Sequence, residues 1–136
     1  MVYLEQSDID LSMLAANLQQ VISGDTTILD TAESYALDEV HSYLSGRYDV
    51  NTEFALGGDA RRKDLVRRIS AITIYLIHQR LTPRQIPETR AIDYKLALEW
   101  LGKVNDGKLN LQIAKINPSQ TVPITWGSNP KTSNFY

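Results

Sequence analysis

The side chains able to do chemistry are few, and their spacing keeps them apart. Histidine occurs twice, at His41 and His78. The two fall on different helical segments and lack the paired spacing of the HExxH pattern, so each reads as a structural histidine and not a metal ligand. Asp30, Glu33, Asp38 and Glu39 form an acidic patch along one segment. Paired carboxylates do acid–base work when a cleft gives them opposed environments, and this segment offers only a solvated helix face. No nucleophile elbow, Walker loop or dinucleotide fingerprint is present, and Gly57-Gly58 alone makes no phosphate loop. Cysteine is absent, which excludes disulfides and thiolate metal sites. The expectation is a protein without catalysis, cofactor or metal.

The remaining chemical signal is cationic. Arg61, Arg62, Lys63, Arg67 and Arg68 are clustered as phosphate binding requires. No recognised nucleic-acid reading motif accompanies them, and the chain is slightly acidic overall. A contact with another protein through Arg61, Arg62 and Arg68 is therefore preferred over a small helical DNA-binding or packaging-associated protein. Arg47 either packs on an aromatic ring beside Tyr48 or complements the negative end of the preceding helix. Charge is also segregated along the chain: residues 1–46 hold eight acidic side chains and no Lys or Arg, whereas residues 47–136 hold fourteen basic and eight acidic ones. A subunit of this kind can set an acidic side against a basic side of its neighbour, and such head-to-tail contacts build rings when the rotation closes.

Helices must position these groups. Asp10 is expected to cap a first helix with Leu11, Leu14, Leu18, Val21 and Ile22 at helical spacing. Gly24 ends it in a left-handed conformation, and Thr26 or Thr27 caps the next. A second helix is expected from Ile28 to Ser45. It sets Ile28, Leu29, Ala32, Tyr35, Ala36, Val40, Tyr43 and Leu44 inward, with Asp30, Ser34, Asp38, His41 and Ser45 opposite. Leu37 falls on the polar side, a place for a partner contact. Asp49–Asp59 reads as loop, with Asp59 capping a third helix that starts basic and turns apolar nearly all round. Such a helix is usually buried. Thr82-Pro83 stops it. Pro87 opens a fourth, with Tyr94, Ala97, Leu98, Leu101 and Val104 in one stripe and Ile92, Leu96 and Trp100 in the next. Gly107 ends it, and the alternation of Leu109, Leu111 and Ile113 suggests a short strand within 108–116.

The fold class is thus mainly α: a small bundle of about four helices with a short C-terminal strand, forming one domain over 1–116. Residues 117–136 hold three prolines among many Ser, Thr and Asn and cannot make a core of their own. They read as an extended arm. Trp126, Phe135 and Tyr136 in so polar a segment are expected to anchor on another subunit. No apolar run is long enough to cross a bilayer, and the start MVYLEQSDID lacks the basic residues of a signal peptide. A soluble protein without a membrane partner is expected.

Several segments read together as a set. They are DEVHSYLSGRY (Asp38–Tyr48), RRISAITIYLIHQR (Arg67–Arg80), YKLALEWLGKVNDGKL (Tyr94–Leu109) and the ending TWGSNPKTSNFY. In order and spacing, from Tyr3-Leu4 to about Leu111, they resemble the Mu-type head–tail connector (neck adaptor) family of tailed phages. The chain departs from it after Tyr48, where relatives carry prolines and this chain has DVNTEFALGGD. The resemblance implies a helical bundle that assembles as a ring, a dodecamer following the portal's symmetry. Its partners would be the portal protein, a tail-completion or stopper protein and other copies of itself, with DNA passing close by in the channel. It implies a place in the virion neck, with assembly in the bacterial cytoplasm, and no cofactor. In such a ring the acidic helix, through Asp30, Glu33 and Asp38, would face the channel, where like charge keeps exiting DNA from sticking.

Overall fold

The computed structural model describes residues 1–11, 13, 15–80 and 86–116. Among these the chain is mainly helical, with α1 (Gln6–Asp10), α2 (Ala15–Ile22), α3 (Thr26–Leu44), α4 (Val50–Phe54), α5 (Lys63–His78) and α6 (Glu88–Asn105), and a single 3-10 turn at Gly58–Ala60. The expected arm, with Trp126, Phe135 and Tyr136, lies outside the described residues, as do Leu14 and Thr82-Pro83.

The expected first helix is two helices, α1 and α2. Ile9 and Met13 are buried, and so are Leu18 and Ile22. Each pair has helical spacing, but Met13 and Leu18 are five positions apart. At about 100° per residue an unbroken helix would turn the second pair away from the first by roughly 180°, so the chain breaks between them. Leu11 is left 89% exposed. Asp10 ends α1 instead of capping a helix, and the start is secured by Asp8, whose carboxylate accepts from the Glu5 amide at 2.7 Å. Gly24 does close α2 with φ +74°, and its N–H reaches the Gln19 carbonyl at 3.0 Å. Asp25, rather than either threonine, caps α3, accepting from the Thr27 amide at 3.0 Å.

The apolar-all-round segment is the hub. α5 packs against α3 and α6 and also touches α1 and α2. It buries Leu65, Val66, Ile69, Ile72, Ile74 and Ile77, each fully buried aliphatic side chain being worth about 1.5–3 kcal/mol. Its buried polar groups bond back to its own carbonyls: Ser70 to Val66 at 2.8 Å, Thr73 to Ile69 at 2.9 Å and His78 to Ile74 at 2.8 Å. They reach the core without orphaned donors. Asp59 does not cap α5. It sits in the 3-10 turn, and Arg62 precedes the helix.

The contacts fix the directions of the three long helices. Tyr75 stacks on Tyr94 while Arg68 lies over Trp100, so α5 and α6 are antiparallel. Glu39 meets Tyr94 while Arg47 meets Val104, so α3 and α6 run the same way. The carboxyl ends of α3 and α6 and the amino end of α5 therefore share one end of the bundle. No strand forms among the described residues. One antiparallel bridge joins Tyr48 to Lys115, and Leu111 is buried with its N–H donating to the Tyr48 hydroxyl at 3.1 Å. Tyr35, expected to point inward, is 63% exposed.

Candidate assembly interface

The groups that looked able to do chemistry are mostly committed to structure. Glu33 is buried, and its carboxylate accepts backbone N–H groups from Val2 at 2.6 Å, Tyr3 at 3.0 Å and Leu4 at 2.6 Å. It anchors the amino-terminal segment onto α3 and does not face outward, which corrects its expected place on a channel wall. The Tyr3 hydroxyl donates to Glu53, and the same Glu53 oxygen accepts the Arg62 amide at 2.8 Å. Burial, then the Glu53 contact, pushes the Tyr3 phenol far above its ordinary pKa. His78 is buried and bonded to the backbone, and His41 is exposed. Among the described residues no three His, Cys, Asp or Glu side chains gather as a metal site would need.

Of the five clustered cations, only some are free to meet a partner. Arg61 is 8% exposed, and its guanidinium donates to Asp8 at 2.6 Å, the Tyr3 carbonyl at 2.8 Å and the Gly58 carbonyl at 2.9 Å. It holds the molecule together, a correction to its expected interface role. Arg62 is exposed and pairs with Asp64 at 3.2 Å. Arg68 is half-buried, 5.2 Å from the Trp100 ring centroid, and burial lowers its pKa. Lys63 and Arg67 are exposed and make no ion pair with a described residue. Arg47 meets the first of its expected roles, lying 5.8 Å from the Tyr48 ring centroid, and its guanidinium donates to the Val104 carbonyl at 3.1 Å. The negative helix end it complements belongs to α6 and not to α3.

Two surfaces emerge. The outer side of α3 borders a groove of about 460 Å³ lined by Val2, Leu37, Phe54, Asp30, Asp38 and His41, among others. Leu37 is half-buried there, as a residue on the edge of an interface would be. Asp30 is exposed and paired with the Met1 amino group at 2.8 Å, and Asp38 is exposed. The second surface is a groove of about 610 Å³ beside the start of α5, bordered by Leu11, Lys63 and Arg67 and also by the exposed acids Glu5 and Asp59. Buried Val66 and Ser70 help line it. Lys63, Arg67 and Leu11 were not singled out as a group from the sequence. The signal for Leu11 was the spacing of Ile9, Met13 and Leu18, which forces a break and turns Leu11 outward.

Comparison with known families decides what kind of molecule carries these surfaces. The family model for bacteriophage Mu Gp36 matches residues 3–124. The chain belongs to the bacteriophage Mu Gp36 family. Membership makes it a Mu-type phage protein and points to a structural or morphogenetic class. No curated protein matches the chain. Among the described residues of this Gp36-family protein, no helix is long and apolar enough to cross a membrane.

Proposed function

We propose that this Gp36-family protein is a head–tail connector, forming a twelve-copy ring beneath the portal that continues the DNA channel and supports tail attachment. Its partners are the portal protein above, a tail-completion or stopper protein below and its own neighbours in the ring, and its place is the virion neck. The residues 117–136 arm, with Trp126, Phe135 and Tyr136, is secured by a neighbouring chain. The protein carries out no reaction of its own.

The observation that carries this reading is the separation of an acidic groove on α3 from a second groove at the start of α5, in a member of a Mu phage family. In that second groove the cations Lys63 and Arg67, unpaired among the described residues, stand beside Glu5 and Asp59. A subunit with two unlike, complementary surfaces is suited to repeated head-to-tail contact. The DNA-binding alternative is weakened by the same geometry. With Arg61 internal, Arg62 paired and Arg68 on Trp100, the stretch leaves Lys63 and Arg67 to meet phosphates, and strong phosphate binding uses more cations than that. The test is co-assembly with the purified portal protein, read by electron microscopy. A collar of this chain on the portal is expected, lost or weakened when residues 117–136 are deleted. A portal that remains bare with the full chain overturns the reading.

A further inference from the structure

We propose that the acidic groove of α3 in one copy receives the basic rim at the start of α5 in the next copy, with Asp30 and Asp38 facing Lys63 and Arg67 and Leu11 seated over Leu37 and Phe54. This assignment rests on the ring reading above and names the two faces that meet in it.

Three observations bear on it. First, the charges are unlike, and three of the four are not already matched by a described residue of the subunit; Asp30 is the exception, paired with the Met1 amino group at 2.8 Å. The Asp38 carboxylate has no hydrogen-bond or ion-pair partner among the described residues, its backbone carbonyl alone accepting from the Ser42 hydroxyl at 2.9 Å, and neither Lys63 nor Arg67 forms an ion pair there. Exposed charges held apart on one molecule cost little, and they become complementary when two molecules meet. Second, each surface carries an apolar element. The α3 side is a groove bordered by Leu37, Phe54 and the 83% exposed Val2. The other side carries Leu11, whose side chain is 89% exposed beside Lys63 and Arg67. A leucine so exposed gains nothing within its own subunit and gains burial when inserted into a groove. Third, the two surfaces share no residue, so contact between them is heterologous and propagates from copy to copy.

The occupant is thus a second copy. The competing assignment sets Asp30 and Asp38 on the channel wall. A contact between copies covers these carboxylates, so the two assignments exclude each other.

Charge exchange separates them. Two double variants are made, Asp30→Lys with Asp38→Lys and Lys63→Glu with Arg67→Glu, along with the fourfold combination. All four side chains are exposed, and far-ultraviolet circular dichroism checks each fold. Assembly on the portal is followed by electron microscopy and native mass spectrometry, with binding of duplex DNA measured over a salt series. Each double variant alone is expected to assemble at least about tenfold more weakly than the unaltered chain. An equimolar mixture of the two is expected to recover, because every contact then pairs unlike charges, and so is the fourfold variant. Recovery cannot come from misfolded chains. If the unaltered chain assembles and both double variants assemble equally well, these faces are not the contact, although the ring stands. If the unaltered chain forms no ring, the ring reading fails first. If Lys63→Glu with Arg67→Glu abolishes salt-sensitive DNA binding while assembly persists, the basic rim serves DNA and the proposal is overturned.

Discussion

Arg61 and Asp8 form the ion pair that ties α1 to the turn before α5, with Nη1 of the arginine 2.6 Å from the aspartate carboxylate. The arginine side chain is 7% exposed and the aspartate 13%. Water can do little to replace either partner. Removing one half of such a pair costs more than the pair itself contributes, because the other charge stays buried. Arg61→Leu also strips the Tyr3 and Gly58 carbonyls of a donor. A loss of about 2–3 kcal/mol is expected, seen as a fall in Tm on the order of 10 °C. Arg61→Lys, which keeps the charge but not the fork of donors, should fall between. An Arg61→Leu protein melting at the original temperature would show that the pair is not the tie described.

Glu33 poses a different question, because its partners are backbone N–H groups. Glu33→Gln preserves volume but offers one acceptor oxygen and turns an NH2 toward donors. At least one of the Val2, Tyr3 and Leu4 amides then loses its acceptor. The expected cost is about 1–3 kcal/mol. Amide hydrogen exchange gives the sharper readout: the Tyr3 and Leu4 amides should exchange faster in Glu33→Gln, while those of the α5 core keep their protection. Unchanged protection at Tyr3 and Leu4 would remove Glu33 as the anchor of this segment.

Tyr3 predicts a pH dependence. Its folded pKa is raised by burial and by the contact with Glu53. A raised pKa contributes stability that is whole below the unfolded value, about 10 for tyrosine. As pH climbs past about 10 the unfolded chain releases the phenolic proton and the folded chain keeps it, so stability falls. The slope from this one group approaches about 1.4 kcal/mol per pH unit. Urea denaturation from pH 9 to 11 should show the decline, and Tyr3→Phe should flatten most of it. Tyr94, also raised by burial and by Glu39, leaves a smaller residue of the slope. A Tyr3→Phe protein with the full alkaline loss would place the titration elsewhere.

The three long helices were readable because local pattern and packing agree in them. α5 is apolar on nearly every side and is the hub, and α6 begins after Pro87 and turns out at Gly107 as its punctuation predicts. The first helix misled because Leu11 and Leu14 continue the stripe of Leu18 and Ile22, while the core takes Ile9 and Met13. Choosing between two overlapping apolar sets needs the shape of the core. The polar anchors were hidden for another reason. Glu33 meets residues about thirty positions away and Arg61 more than fifty, and nothing local marks an acid or a guanidinium as internal. Glu33 therefore read as part of a solvated face, and Arg61 as part of a basic patch. The surfaces were half visible: Leu37, Asp30 and Asp38 do share one face of α3, whereas Lys63 and Arg67 joined Leu11 only once α1 broke away from α2.

Gly107 and Arg47 supply the last prediction. Gly107 has φ +83°, and a Cβ there would lie 2.8 Å from Nη1 of Arg47, the atom that donates to the Val104 carbonyl. Gly107→Ala therefore meets two separable penalties. The left-handed backbone costs an L-residue about 1–2 kcal/mol whatever surrounds it. Displacing the guanidinium is cheaper, since its stem can swing aside, and costs the hydrogen bond, worth about 1 kcal/mol. In an Arg47→Ala background the second penalty is already spent and the first remains. A double-mutant cycle by urea denaturation should give Gly107→Ala a cost in both backgrounds, smaller by about 0.5–1 kcal/mol when Arg47 is gone. Equal costs would mean that the guanidinium does not occupy the space beside Gly107. No cost in either background would mean that the helix ends without its left-handed turn.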